Sequence, residues 1–229
     1  MNKQFIPSKR LKVEKNYITK NKYSRHGHKI YDPLVFVVHW PYAVGWSAKR
    51  GRDYFDSLKN QQETIVNQYG EKVTNPNLRH ASTQYWLGLE GEWLALMPEN
   101  ELAYSVGNAK GYTDFTKNLF GEKLTSNTFK GTPNWASVSV EVSHTDIKGN
   151  MTNETIDSLI DFSVDFCWRH QLDSDRVVRH YDITGKRCPR LFVENEGLWK
   201  EFKQQIKVNL DRVYKERDQL IKDFKIEKR

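Results

Sequence analysis

Residues 34–38, Leu34-Val-Phe-Val-Val38, form a continuous apolar run with the length of one β-strand. Asp32-Pro33 precedes the run and Pro41 follows it, so turn-forming residues bound it on both sides. A short apolar run between such signals is typical of a strand that is buried on both faces. His39 comes directly after the run, where a side chain can leave the core and face a cleft. The run therefore predicts a central strand with a polar residue at its end.

The rest of the chain alternates between strand and helix patterns. We predict helices over 53–69, from Thr152 to His170 and in the charged C-terminal segment, and strands over 83–87, 92–97, 138–142 and 176–179. A loop with Gly185 and Pro189 follows the last strand, and the polar stretch 107–134 is either a site-lining loop or an insertion. This alternation indicates an α/β fold, in which a central mixed β-sheet is flanked by helices. Functional sites in such sheets usually lie at the ends of strands.

Length and composition exclude several classes of protein. The chain has 229 residues, of which 13% are aromatic, and a disordered chain would be poor in aromatic residues. Two cysteines cannot form a disulfide framework. No apolar run approaches the ~18 residues that a membrane span needs. The chain opens without the apolar segment of a secretory signal, so we expect synthesis in the cytoplasm without a signal peptide.

Positive charge is concentrated at the two ends. The net charge is +7, yet residues 1–29 carry nine Lys/Arg and one Glu, and residues 197–229 carry ten Lys/Arg and six Asp/Glu. We predict a basic N-terminal arm over 1–24, a main domain over 25–205 and a charged C-terminal helix over 206–229. The basic ends are either a surface that attracts a polyanion, such as an anionic wall polymer, or simply solvated tails.

Two histidines and a cysteine stand out by their positions. His39 ends the first buried strand, His180 ends the predicted strand at 176–179, and Cys188 follows eight residues later. Two imidazoles and a thiolate are a suitable ligand set for zinc, and three protein ligands leave a fourth position for water. The alternative is that each histidine is an ordinary polar residue at a strand end and that Cys188 is a small core residue, as we predict for Cys167. Spacing alone does not decide between these interpretations.

Glu141 and Lys186 are the candidates for acid–base and electrostatic roles. Val138, Val140 and Val142 share one face of their predicted strand, whereas Glu141 points to the other face. A carboxylate there is solvated, paired or catalytic, and a general base is one possibility. Lys186 lies two residues before Cys188, so its ammonium group either stabilises an oxyanion or is an ordinary surface lysine.

Four segments, taken in order, resemble a known family. They are Val37-Val-His39, Arg79-His-Ala-Ser-Thr-Gln-Tyr85, Val138-Ser-Val-Glu-Val142 and Arg179-His-Tyr-Asp-Ile-Thr-Gly-Lys-Arg-Cys-Pro189. Together they resemble the type-2 N-acetylmuramoyl-L-alanine amidases, a family that includes many bacteriophage endolysins and is related to the peptidoglycan-recognition proteins. The resemblance covers roughly residues 30–205, and the last segment is its most specific part.

The resemblance implies a zinc-dependent hydrolase that cuts the amide between N-acetylmuramic acid and L-alanine in peptidoglycan. It implies zinc ligands at His39, His180 and Cys188. It also implies a catalytic role for Glu141 and oxyanion stabilisation by Lys186. An enzyme of this kind would act on the bacterial cell wall after release from the cytoplasm.

The chain departs from the family pattern near residue 83. Many members have Ala-Ser-Ala-His-Tyr where this chain has Ala81-Ser-Thr-Gln-Tyr85, and others have a catalytic tyrosine at the position of Thr83. Threonine cannot act as a phenol, so Glu141 would carry more of the acid–base role. Further candidates for substrate contacts are Trp40, Thr83, Asn108 and Thr184.

Two other functions remain open at this point. A peptidoglycan-binding module without catalysis would use the same scaffold, although such relatives usually lack the cysteine ligand that Cys188 supplies here. A zinc peptidase acting within the stem peptide would use the same ligands and the same glutamate. Nucleic-acid binding through the basic ends has no motif to support it, so we expect no nucleic-acid partner.

Overall fold

The computed structural model describes residues 11–30, 32–107, 111–127 and 131–226. The strands in this part of the chain are β1 (Val13–Lys15), β2 (Val35–His39), β3 (Thr64–Val66), β4 (Lys72–Thr74), β5 (Tyr85–Leu87), β6 (Trp93–Ala95), β7 (Ser137–Val142) and β8 (Val177–Arg179). The α-helices are α1 (Ala48–Ser57), α2 (Asp114–Phe120), α3 (Asn153–His170), α4 (His180–Thr184), α5 (Arg190–Glu194) and α6 (Glu196–Ile226).

Six strands form one mixed sheet in the order β1-β6-β5-β7-β2-β8. Strands β7, β2 and β8 are parallel neighbours, and β5 pairs with β6 in the antiparallel direction. The apolar run at residues 34–38 forms most of β2, which lies between β7 and β8 in the sheet. The predicted α/β fold with a central mixed sheet flanked by helices is therefore confirmed.

Helices cover both faces of the sheet because the central strands are apolar on both faces. On one face, the ring of Phe36 lies 5.3 Å from that of Phe162 and 5.1 Å from that of Phe166, both on α3. Ile206 of α6 is fully buried in the same cluster. On the other face, Val35 belongs to a cluster that includes residues of α2 and α4. Burial of these apolar surfaces is the main force that holds the layers together.

The described part of the predicted N-terminal arm belongs to the main sheet. Strand β1 pairs in parallel with β6, and the N–H of Ile18 donates to the carbonyl of Leu96 at 2.8 Å. Ile18 is fully buried. Just after the arm, the guanidinium of Arg25 donates to the buried carboxylate of Glu101 at 2.7 Å. The segment is mostly polar, and its composition therefore predicted an arm. Its few apolar residues nevertheless pack against the main domain.

The helix predicted over 53–69 is wrong in its second half. Helix α1 begins earlier, where the Ser47 hydroxyl accepts a hydrogen bond from the N–H of Arg50. The chain then forms a hairpin from β3 and β4, with Gly70 at φ +81° in its turn. The β-branched residues of Thr64–Val66 favour a strand over a helix. Gly70 therefore serves a hairpin turn instead of ending a helix.

The predicted boundary between residues 205 and 206 lies inside helix α6. Ile206, Leu210 and Val213 are buried in the core cluster that also contains residues of α3. Trp199, Ile206 and Val213 recur every seven residues along α6, and all three belong to this cluster. Helix α6 thus continues the main domain across the proposed boundary.

Two stretches without a predicted helix contain helical segments. Helix α2 lies within 107–134, and α4 and α5 lie around the predicted loop after β8. Helix α3 begins as predicted, because the Thr152 hydroxyl accepts a hydrogen bond from the N–H of Thr155. No helix in the described ranges combines the length and the apolar character needed to cross a membrane.

Candidate metal centre and adjoining cleft

The parallel strands β7, β2 and β8 bring three functional candidates to one edge of the sheet. His39 pairs in register with Glu141 on β7. Val38 pairs with Arg179 on β8, so His180, the next residue, lies beside His39. The carboxyl ends of parallel strands meet at the same edge, which is why residues so distant in sequence become neighbours. The imidazole centroids of His39 and His180 are 4.5 Å apart.

Cys188 joins this pair through a tight turn after β8. Helix α4 ends at Gly185, whose φ of +74° is accessible to glycine at little cost. The chain then folds back, and the N–H of Tyr181 donates to the carbonyl of Cys188 at 2.9 Å. This turn places the Cys188 Sγ 3.9 Å from the Nδ1 of His39.

The three side chains form the single group in the described residues that has the geometry to hold a metal ion. One donor atom from each of His39, His180 and Cys188 lies within 4.8 Å of the other two. All three residues are buried. His39 Nε2 and both ring nitrogens of His180 have no hydrogen-bond partner among the described residues. Buried polar atoms are normally paired, so these nitrogens fit a ligand such as a cation.

The electrostatics of the cluster suit neutral imidazoles. Burial lowers the pKa of His180 to about 3, and the positive charge of Lys186 adds to this effect. Burial also lowers the pKa of His39 well below its usual range, with a contribution from His180. Neutral imidazole is the form that coordinates metals. Burial raises the pKa of the Cys188 thiol, and the carboxyl group of Glu141 raises it further. A bound cation would favour the thiolate.

Glu141 lies next to the cluster on β7. Its Oε2 is buried and has no hydrogen-bond partner within the described residues. Burial raises the pKa of Glu141 to about 8, although the ammonium of Lys186 opposes this rise. The strand alternation predicted this orientation, since Ser139 and Glu141 lie on the face opposite the valines that pack on α3. The arrangement leaves one carboxyl oxygen without a partner beside the candidate ligands.

Lys186 lines a cleft of about 710 Å³ that adjoins the cluster at His180. The lining also includes Thr184, Tyr104 and Asn134. Lys186 is exposed, so its ammonium is accessible to a molecule in the cleft. Gly107 and Asn134 lie at the two ends of the 107–134 stretch, and both line the cleft. That stretch therefore contributes residues to the wall of the cleft.

The four candidates for substrate contacts have different positions. Thr184 lines the cleft. Trp40 is half-buried, and its backbone N–H donates to the Cys188 Sγ at 3.4 Å. Thr83 is fully buried, and its hydroxyl lies 3.1 Å from that of Ser139. A side chain without exposed surface cannot touch a substrate in this conformation, so Thr83 has a packing role here. Asn108 lies outside the described residues.

Gln84 replaces the histidine of the family pattern with a structural amide. Its Oε1 accepts hydrogen bonds from the N–H and the hydroxyl of Ser139, each at 2.9 Å. Its Nε2 donates to the carbonyl of Glu101 at 2.8 Å. The fully buried Gln84 thus ties the segment before β5 to β7 beneath the site.

Sequence reasoning missed His80 and Tyr104, which both line the cleft. Their rings lie 5.9 Å apart at an angle of 80°. No periodicity marks either residue, and the one available signal is that His80 lies within the Arg79–Tyr85 segment of the resemblance. His144, which follows β7, is not in the cluster. Its ring nitrogens instead lie 2.6 Å and 2.7 Å from the carbonyl oxygens of Pro41 and Asp146.

Comparisons with known proteins agree with this geometry. The chain is 28% identical over 197 residues to N-acetylmuramoyl-L-alanine amidase CwlL of Bacillus licheniformis, an overlap of 86% of this chain and 47% of that protein. It is 27% identical over 196 residues to N-acetylmuramoyl-L-alanine amidase BlyA of Bacillus subtilis (strain 168), covering 85% and 47%. The chain thus spans about half the length of these curated relatives.

Solved structures share the fold at low sequence identity. PlyL superposes with a TM-score of 0.59 at 17% identity, and the match covers 86% of this chain and 98% of that one. The catalytic domain of XlyA gives a TM-score of 0.56 at 19% identity, covering 86% and 99%. The family described as N-acetylmuramoyl-L-alanine amidase matches residues 31–191, which is more than half of the chain. The chain therefore belongs to the N-acetylmuramoyl-L-alanine amidase family, as its four motifs predicted.

Proposed function

We propose that this chain hydrolyses the amide between N-acetylmuramic acid and L-alanine in bacterial peptidoglycan and that it uses zinc. One observation carries the proposal. Three buried donor atoms lie within 4.8 Å of one another, with imidazole nitrogens that have no partner in the described residues. Family membership supports the choice of bond, and the adjoining cleft provides room for a peptide.

The donor set fits zinc better than the common alternatives. Magnesium and calcium prefer oxygen ligands, whereas two imidazoles and a thiolate are typical of zinc. His39, His180 and Cys188 would hold the ion. When bound, zinc supplies a Lewis acid that polarises a carbonyl and makes water more acidic. The N–H of Trp40, 3.4 Å from the Cys188 Sγ, would stabilise negative charge on that sulfur.

Glu141 would transfer protons, and Lys186 would stabilise negative charge. The unpartnered Oε2 of Glu141 would accept the proton of the attacking water and later return it to the nitrogen of the leaving amine. The ammonium of Lys186 would donate a hydrogen bond to the oxygen that gains charge as the carbonyl is attacked. Because Thr83 is buried and its hydroxyl is hydrogen-bonded to Ser139, the proton transfers depend on Glu141.

Product analysis on purified peptidoglycan tests the choice of bond. Cleavage at the proposed amide exposes new amino groups on L-alanine and creates no new reducing sugar ends. New amino groups on other stem residues would instead identify a peptidase, and the absence of any product would leave a binding module. Since the substrate is the cell wall, we also propose that the protein acts there after release from the cell that makes it.

Cys188→Ala tests the metal site, with Cys167→Ala as the matched control. Both cysteines are buried, but Cys167 lies in the core on α3, away from the cluster. We expect Cys188→Ala to lose bound zinc and hydrolysis together, whereas Cys167→Ala keeps both. Chelation should lower the thermal unfolding midpoint of the wild type and not that of Cys188→Ala, because a ligand that binds the folded state stabilises it. Full zinc occupancy in Cys188→Ala would contradict the assignment.

A further inference from the structure

Two aromatic rings project from the loop that follows β2. Trp40 and Tyr42, which we call the aromatic platform, pack edge to face with ring centroids 5.7 Å apart and an angle of 84°. Tyr42 is 81% exposed, the most exposed of the large hydrophobic side chains in the described residues. A large exposed aromatic side chain beside a candidate active site is typical of a binding surface.

The Trp40 ring of the platform is held in place by neighbouring residues. The ring of Trp40 lies 4.7 Å from that of His144, and the backbone at Gly149 approaches it so closely that an added Cβ would come within 3.0 Å. His144 is anchored through its ring nitrogens to the carbonyls of Pro41 and Asp146. Trp40 therefore gives Tyr42 a fixed ring to pack against and would lose little conformational freedom when a ligand binds.

The platform and the cleft adjoin the ligand cluster through different residues. The backbone of Trp40 contacts the cluster at Cys188, where the main-chain N–H donates to the sulfur at 3.4 Å. The cleft adjoins the cluster at His180, and neither platform residue lines the cleft. Two separate surfaces therefore adjoin the candidate metal centre.

The two surfaces also differ in chemistry. The cleft has polar groups, including Lys186, Thr184 and Asn134, that match the amides and carboxylates of a peptide. The platform has aromatic faces and no charged group of its own. The proposed scissile bond joins a sugar to a peptide. The polar cleft therefore suits the peptide side of this bond, and the aromatic platform suits the sugar side. A pyranose ring presents C–H groups on its face, which pack well against an aromatic ring.

We propose that the aromatic platform binds the glycan strand of peptidoglycan, with a sugar ring stacked on Tyr42, while the cleft receives the stem peptide. This inference rests on the proposed function, because it assigns the sugar side of the same bond. It makes Tyr42 a determinant of affinity for the sugar side of the substrate. Trp40 both forms the base of the platform and contacts the Cys188 sulfur, so Tyr42 is the cleaner position to test.

The probe is a preparation of peptide-free glycan strands, and binding is measured by calorimetry on the zinc-loaded protein. Tyr42→Ala should weaken the affinity by about fivefold or more, as expected for loss of an aromatic contact residue. Tyr42→Phe should keep most of the affinity because it keeps the ring face. Tyr69→Ala is the matched control, since Tyr69 is 78% exposed in the turn between β3 and β4. On intact peptidoglycan, Tyr42→Ala should raise KM more than it lowers kcat.

The outcomes separate this inference from the proposed function. Equal affinity of Tyr42→Ala and Tyr69→Ala for the strands would overturn the platform assignment, as would a wild type that cleaves peptidoglycan but does not bind the strands. A wild type that binds the strands through Tyr42 but releases no amino groups would support the platform and overturn the hydrolytic proposal.

Discussion

The carboxyl group of Glu141 illustrates how a single residue can be unfavourable for folding and useful for chemistry. It lies beside His39 in the register of β2 and β7, with Oε2 buried and without a partner in the described residues. A buried polar atom without a hydrogen bond costs free energy. A nearby hydrogen-bond donor would remove this cost, but it would also occupy the atom that the proposed mechanism uses.

Glu141→Gln should reduce kcat by about 10²- to 10⁴-fold, the usual contribution of a positioned general base. The amide has nearly the same shape as the carboxyl group, so the ligand cluster beside it should be retained. We therefore expect zinc content equal to that of the wild type. The measurement is release of amino groups from peptidoglycan, alongside metal analysis of the same preparation.

Glu90→Gln is the control for this change. Glu90 is exposed in the turn between β5 and β6, and the same change there should leave both activity and zinc content as they are. If Glu141→Gln retained more than about a tenth of the wild-type rate, the proton-transfer role would belong to another group.

At the scale of elements, an ion-pair network fastens α3 to the chain after β6. The carboxylate of Glu99 accepts hydrogen bonds from Arg169 at 2.6 Å and from the Tyr85 hydroxyl at 2.8 Å, and it lies 3.0 Å from the His170 ring. Burial alone would raise the pKa of Glu99. The hydrogen bonds from His170 and Arg169 outweigh burial and lower the pKa to about 2.

This network predicts a defined loss of stability in acid. A glutamate with a depressed pKa stabilises the folded state above its unfolded value of 4.5, and that contribution is lost as pH falls towards 2. The shift corresponds to about 3 kcal/mol at neutral pH. We expect Glu99→Gln to lower the free energy of unfolding by roughly this amount at pH 7 and by much less at pH 2.

Urea unfolding at a series of pH values measures this effect. Glu122→Gln changes an exposed glutamate and should follow the wild-type curve across the same range. A constant difference between Glu99→Gln and the wild type from pH 7 to pH 2 would show that the carboxylate charge contributes nothing.

Element prediction succeeded where the signal was local and failed where two local signals competed. The alternation in Val138–Val142 and the Thr152 cap are complete within a few residues, so they predicted β7 and the start of α3. The segment 53–69 has apolar residues at helical spacing, but its second half pairs with β4. Pairing with another strand is a contact between separate segments, so it cannot be seen in the segment itself. The helical spacing therefore predicted a helix, although the β-branched residues favour a strand.

At the scale of the whole molecule, the two ends hold more positive charge than the body. Residues 1–29 have nine Lys/Arg against one Glu, although Lys29 lies 3.5 Å from the carboxylate of Glu101. Residues 1–10 lie outside the described part of the chain. We propose that the basic ends attract anionic wall polymers in addition to the peptidoglycan substrate.

Replacing the lysines of residues 1–29 with glutamine should weaken binding to cell walls most at low salt. The Debye length shrinks from about 30 Å at 0.01 M to about 3 Å at 1 M, so salt should remove most of the difference from the wild type. Co-sedimentation with purified walls across this range measures the effect. Lysine-to-arginine changes at the same positions keep the charge and are the control. Binding that does not respond to salt in any variant would rule out the attraction.

Local sequence patterns are enough to identify the types of side chain at the candidate site and the strands that carry them. His39 and Glu141 each sit at a strand position that their own neighbours identify, and the segment from Arg179 to Pro189 is specific enough to indicate the family. These signals lie within about ten residues, so no knowledge of distant contacts was needed to interpret them.

Which of these residues become neighbours depends on the folding of the whole chain. The order β7-β2-β8 brings His39 and His180 into adjacent positions, and the turn after α4 adds Cys188. The same packing buries Thr83 and places Tyr104 in the wall of the cleft. The physical reason is that burial and proximity depend on the order and register of strands far apart in the chain, and local patterns do not record these.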